Sequence, residues 1–190
     1  IRTSFTKTTN MGLFDFFKKK EKKYDVTNMK LTDLNVGFVF EYDLKSWVVE
    51  EAYQYDWGDN YFSFEYKITN GAETLFLSVE EDDELIVSIS SKTQLRKIQE
   101  DLPELLAAEK APKKINYQDI EYFLEEQAPG YFCNLTKDKN TWVEFIAWDY
   151  IDEKEKRILS LEQWGENEFE AAEGIIIRPN EISNILPAGK

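Results

Sequence analysis

The chain has 190 residues, of which 42% are apolar and 32% charged, with a formal net charge of −14 and no histidine. These are the proportions of a folded globular protein. The single cysteine, Cys133, excludes an intrachain disulfide and points to a reducing compartment. No apolar run approaches the roughly 18 residues of a membrane-spanning helix, and the N-terminus lacks the apolar stretch of a secretory signal.

The charge is unevenly spread. Residues 1–30 hold eight Lys/Arg against three acids, a balance of +5, which leaves −19 on the rest. A body this acidic repels phosphate backbones, so no nucleic-acid partner is expected. Met11-Gly12-Leu13-Phe14 reads as a start, and residues 1–10 are expected to be a leader or an expression remnant. Residues 11–29 form a basic amphipathic segment. Within it Leu13, Phe14 and Phe17 share one helical face, Phe16 sits at its edge, and Lys18, Lys19 and Lys20 begin the polar continuation. A helix this short needs a surface to lie on, whether a bilayer, a partner or the body of the protein. These seven residues are the candidate membrane or partner contact.

Strands follow. Residues 36–42 and 47–55 alternate around a turn-like 43–46, and 56–60 form a further turn. Phe62, Phe64, Tyr66 and Ile68 then alternate with Ser63, Glu65 and Lys67, the pattern of a half-buried strand. Asn70-Gly71 is the strongest hairpin signal, because a type I′ turn needs positive φ at both central residues. Strands at 74–81 and 85–90 complete the series. Leu95, Ile98, Leu102, Leu105 and Leu106 then fall at helical spacing, which predicts an amphipathic helix over 93–109 that Pro103 kinks or restarts near Asp101. Residues 110–114 read as a linker. A second strand series runs 120–127, 131–135, 142–151, 157–164 and 168–177, with a turn at Pro129-Gly130, and a helical turn closes the chain near 179–186.

The two series align. Tyr42-Asp-Leu-Lys-Ser-Trp47-Val-Val-Glu-Glu51 lies over Tyr117-Gln-Asp-Ile-Glu-Tyr122-Phe-Leu-Glu-Glu126. Farther on, Phe64-Glu-Tyr66 lies over Ile146-Ala-Trp148, and Phe76-Leu-Ser-Val-Glu80 over Ile158-Leu-Ser-Leu-Glu162. The expected fold is therefore mainly β, a β-rich α+β arrangement of two similar antiparallel meander or barrel-like units. One amphipathic helix lies between them and a short one precedes them. The units span 30–92 and 115–187, joined by a helix and linker at 93–114, and together make one compact duplicated domain.

The same residues carry a resemblance. Gly37-Phe-Val-Phe-Glu-Tyr42, Trp47, Phe64-Glu-Tyr66 and Leu75-Phe-Leu-Ser-Val-Glu80 resemble the bacterial family "domain of unknown function 4178". In the second copy Phe145-Ile-Ala-Trp148, Leu159-Ser-Leu-Glu162 and Trp164-Gly-Glu166 are similar to its C-terminal pattern. The resemblance covers 30–186 and implies a small β-rich bacterial domain with no catalytic residues to carry over. It also implies a contextual link to membrane-stress and polyamine-related genes.

Chemistry is sparse. Without histidine the commonest general base, the usual triads and most transition-metal sites are missing. Cys133 sits in a strand pattern and reads as buried and inert. No phosphate-binding loop or zinc spacing occurs, so no catalytic residue, cofactor or metal is expected. The acids at 80–84 read as a solvated turn, with Ca²⁺ as a third possibility. Glu80 and Glu162, at equivalent places in the aligned copies, are candidates for a facing carboxylate pair. With Trp47, Tyr66, Trp148 and Trp164 they make the candidate ligand groove. The leading expectation is a non-catalytic binding or adaptor protein, cytoplasmic and held at the inner membrane face by its N-terminal helix, with a role in envelope stress and a protein partner. The alternative is a binder of, or enzyme acting on, a small cationic ligand such as a polyamine, using aromatic and acidic residues.

Overall fold

The computed structural model describes residues 29–81 and 83–188. The N-terminal helix expected at 11–23, with Leu13, Phe14, Phe16, Phe17 and Lys18–Lys20, lies outside the described residues. After a 3-10 turn at Leu31–Asp33 come β1 (Val39–Tyr42), β2 (Lys45–Asp56), β3 (Phe62–Thr69), β4 (Thr74–Glu81) and β5 (Leu85–Thr93). Two short helices, α1 (Leu95–Ile98) and α2 (Leu102–Ala107), precede β6 (Lys114–Tyr117) and β7 (Ile120–Asn134). The chain continues through β8 (Trp142–Asp152), β9 (Arg157–Gln163), β10 (Phe169–Ile177), a 3-10 turn at Pro179–Glu181 and β11 (Ser183–Leu186). The closing helical turn expected near 179–186 is thus only its first three residues, and the rest is a strand that pairs with β1.

The fold is mainly β. All eleven strands share one antiparallel sheet in the order β11-β1-β2-β3-β4-β5-β10-β9-β8-β7-β6, and β2 also pairs with β7. That extra pairing closes eight strands, β2 to β5 and β7 to β10, into a ring. Two seams join the copies. The β5–β10 seam has seven residue pairs, from Thr93 opposite Ala171 to Val87 opposite Ile177. The β2–β7 seam has four, from Tyr53 opposite Asn134 to Asp56 opposite Tyr131.

Local rules explain the hairpins. β1 and β2 are joined by Asp43-Leu44, both at positive φ, and β6 and β7 by Gln118-Asp119, again both at positive φ. These are the primed two-residue turns that match strand twist. Asn70-Gly71, which carried the strongest sequence signal, instead sits in a four-residue loop between Thr69 and its partner Thr74. There the Asn70 side-chain oxygen accepts the backbone N–H of Ala72 and Glu73, and this fixes the wider loop. The paired glutamates of the aligned blocks also acquire a meaning. Register shifts between Val49 and Glu51 and between Leu124 and Glu126, so each copy bulges at the first of its two glutamates.

Two expectations are corrected. The break expected at Pro129-Gly130 is absent, and β7 runs unbroken through it. Pro129 pairs with Ile146 on one side only. β6 reaches no farther than Phe123 and β2 begins at Tyr131, so the missing N–H falls on a free stretch of edge. The helix expected over 93–109 starts later, because Thr93 is still paired to β10. It is also broken at Gln99, where the backbone is extended, and α2 restarts with Pro103 in its first turn.

One face of the sheet packs into two separate cores. In the first copy Trp47, Val49, Tyr66, Ile68, Leu77 and Val79 are covered by Leu31, Leu34, Phe38, Phe40 and Ile182. In the second, Tyr122, Trp148, Tyr150, Leu159 and Leu161 lie beneath Leu95, Ile98, Leu102 and Leu106 of the two helices. Each fully buried large side chain contributes about 1.5–3 kcal/mol. The opposite face of the ring turns inward.

Candidate functional site

Strand alternation delivers the inward residues. Tyr53 and Tyr55 of β2, Ser63 and Glu65 of β3, Ser78 and Glu80 of β4, Ser160 and Glu162 of β9, and Ala147 and Asp149 of β8 all face a cavity of about 590 Å³ inside the ring. Eight strands enclose enough room for one small ligand, and this volume lies in the usual range for small-molecule sites.

One part of the lining is aromatic. Tyr55 stacks on Trp57 with ring centroids 5.8 Å apart, and Phe145 stacks on Trp164 at 4.8 Å. Phe132 meets Trp164 edge to face at 5.1 Å and lies tilted against Tyr55 at 5.4 Å. The Trp164 Nε1 is buried, with no hydrogen-bond acceptor among the described residues. Gly130 makes the arrangement possible, since a Cβ there would lie 2.9 Å from the Phe145 ring and 3.1 Å from Trp57.

The other part is acidic. Glu65 lies opposite Tyr53 on one neighbouring strand and Ser78 on the other, and its carboxyl accepts the Tyr55 hydroxyl at 3.2 Å. Asp149 lies opposite Ser160, whose hydroxyl donates to it. Glu162 lies opposite Ala147 and Glu170, and none of the described residues hydrogen-bonds to its carboxyl. Burial is the main influence on all three. It pushes Glu65 up to about 7, against the opposing help of Tyr55 and Lys92. It pushes Asp149 up to about 6 despite the Ser160 hydroxyl, with Glu126 and Glu80 adding repulsion. Glu162 rises to about 8, first from burial and then from the charges of Glu65, Glu170 and Asp149. Near the rim, Lys92 pairs with Glu170 and its ammonium lies 5.4 Å over the Phe76 ring. The Glu80 carboxyl accepts the Tyr61 hydroxyl.

Of the six expected groove residues, Glu80, Glu162 and Trp164 line this cavity. Trp47, Tyr66 and Trp148 do not. They point to the other face of the sheet and are buried in the two cores. The ladder also corrects the proposed equivalence of Glu80 and Glu162. Phe64 pairs with Val79, whereas its counterpart Ile146 pairs with Gln163, so β9 is displaced by two residues relative to β4. In space Glu162 therefore corresponds to Ser78, and Glu80 to Trp164. Sequence reasoning missed Glu65, Asp149 and Phe132, which line the cavity, and Phe145, which is buried behind Trp164. Glu65 was placed on the solvent side of a half-buried strand, when that polar side faces the ring interior. Among the described residues no cluster of acids or cysteine has an arrangement that could hold a metal ion.

Residues 35–179, most of both copies, match the family described as "Domain of unknown function (DUF4178)". The chain belongs to this family. The DUF4178 match spans both seams and every strand of the ring, so the cavity is contained within it. An uncharacterised protein of Aquifex aeolicus (strain VF5) is 27% identical over 175 residues, which cover 90% of this chain and 94% of that one. No solved structure gives a significant match. Neither the DUF4178 family nor this relative brings an assigned activity.

Proposed function

We propose that this protein is a non-catalytic binding module that holds a small organic cation inside its ring. The observation that carries the reading is the cavity inside the ring where half-buried carboxyls of Glu65, Asp149 and Glu162 meet an aromatic wall that includes Tyr55, Trp57, Phe132 and Trp164. Aromatic faces and carboxylates are the two groups that recognise an ammonium ion, and each ring contact contributes about 0.5–2 kcal/mol when desolvated. The protein supplies its own precedent in Lys92, whose ammonium lies over Phe76 and against the Glu170 carboxylate. The non-catalytic part of the reading rests on the lack of histidine in the chain. It rests also on Cys133, which is fully buried and on the face turned away from the cavity. Calorimetric titration with spermidine and with 2-phenylethylammonium at moderate salt tests the reading. Saturable binding of either amine with one site per chain is expected. Absence of heat from both at millimolar concentration refutes it.

A further inference from the structure

Glu65, Asp149 and Glu162 come from three different strands, β3, β8 and β9, yet they face one enclosed volume. Their supply of donors is small. Glu65 receives one hydroxyl bond from Tyr55 and Asp149 one from Ser160, while the Glu162 carboxyl faces the open volume with no protein partner among the described residues. The remaining strands add little positive charge. β2 contributes Tyr53 and Tyr55, β4 contributes Glu80, β7 contributes Glu125 and Glu126, β8 adds Tyr150, and β10 contributes Glu170. The facing cations are Lys92 of β5 and Lys137 after β7; Lys92 pairs with Glu170 of the same lining and only partly offsets the burial of Glu65 and Glu162, and Lys137 pairs with Glu51. Carboxyls that share one partly buried cavity with few donors do not all ionise freely, and they titrate as a group.

We propose that binding in this cavity is an exchange of charge: the empty protein keeps protons on the Glu65–Asp149–Glu162 group, and an entering ammonium ion displaces at least one of them to solvent. This rests on the reading of the cavity as an organic-cation site and adds how that site responds to pH. The proton leaves to water or buffer, the ligand's positive charge replaces it, and the cavity's net charge is almost unchanged. The raised positions of the three groups, at about 7, 6 and 8, place the exchange near neutrality. Below that range the ligand must compete with bound protons. Above it the carboxylates repel one another until a cation arrives.

The consequence for affinity follows from linkage. The slope of log affinity against pH equals the number of protons released. Release of one proton makes Kd fall up to about tenfold per pH unit between pH 6 and 8 and level off above.

The experiment is calorimetric titration of the full chain with 2-phenylethylammonium and with spermidine. It is run at pH 6, 7 and 8, in phosphate, MOPS and Tris at each pH where they buffer. Proton release is read from the dependence of the heat on buffer ionisation enthalpy. At pH 7 roughly 0.5–1 proton is expected to leave per amine bound, with Kd falling from pH 6 to pH 8. Glu162→Gln should reduce the release by half or more, and Glu65→Gln, which keeps an acceptor for Tyr55, serves as a second variant if the first does not fold. Saturable binding with no proton release and a Kd constant from pH 6 to 8 overturns the exchange and leaves the cation reading standing. No binding of either amine at any pH removes the cation reading and the exchange together.

Discussion

Glu162 should make this protein less stable as the solution becomes more basic. Its carboxyl ordinarily titrates at 4.5, and burial with its acidic neighbours raises it to about 8 in the fold. Between those values the folded chain holds a proton that the unfolded chain has released. The sign is therefore fixed: stability from this group is complete below pH 4.5 and is lost as pH rises towards 8. The slope is about 1.4 kcal/mol per pH unit, so warming scans at pH 5 and pH 7 differ by about 3 kcal/mol from this residue alone. For a chain of this length that is roughly 6–12 °C in Tm. Groups held below their ordinary values, such as Glu51 and Glu73, act in the other direction. They titrate under pH 4.5, outside the window. Glu162→Gln preserves size and removes this one titration, so its Tm should fall less steeply between pH 5 and 7, the remaining fall coming from Glu65 and Asp149, and should exceed that of the parent at pH 8. Differential scanning calorimetry on both proteins measures this. An equal pH slope in parent and variant, or a parent Tm that rises from pH 5 to 7, refutes the argument that Glu162 is enclosed and crowded.

Three further outcomes follow from packing. In Gly174→Ala the new Cβ would lie 2.6 Å from the Ile89 carbonyl oxygen and 2.8 Å from the Ser90 Cβ, pressing on the β5–β10 seam. A loss of about 1–3 kcal/mol is expected in urea unfolding, as a lower midpoint. Asp152 accepts the backbone N–H of Lys156 at 2.7 Å and of Arg157 at 2.8 Å while largely buried. Burial opposes its ionisation, but these backbone donors win and hold its carboxyl below the usual range. Asp152→Ala should cost about 1–3 kcal/mol at pH 7. The parent's advantage should shrink as pH falls through its low folded value, which urea titrations at pH 7 and 3 compare. Cys133 is fully buried and burial pushes its thiol up, so a chromogenic disulfide reagent should label it only as fast as the protein unfolds. Prompt labelling in native buffer would show that the outer face at Cys133 is open.

The mainly β character and most of the strand positions were legible because alternation is a local signal. The turn-like 43–46 holds the turn between β1 and β2, while the bulges at Glu50 and Glu125 became visible only in the ladder. Three things were not legible, each for a physical reason. Pro129 looked like a break because its edge is free only in the assembled sheet. The two-residue displacement of β9 leaves inward and outward faces unchanged, so the sequence pattern carries no trace of it. Glu65 was assigned to solvent because a strand flanked on both faces, by a core and by a cavity, alternates like a strand buried on one. Trp47, Tyr66 and Trp148 were drawn into the groove by size, and size alone sends a tryptophan to a core.

The unequal seams have a bearing on ancestry and assembly. A single copy would end at two unpaired strands, β2 and β5 or β7 and β10, each a template for pairing with another chain. A gene encoding one unit would therefore have to make a symmetric homodimer, with the cavity on its axis and every lining residue present twice. In the fused chain that constraint is gone. Ser78 can face where Glu162 stands in the other half, and Glu80 where Trp164 stands. The ring is thereby lopsided, its two halves presenting different side chains to the same cavity.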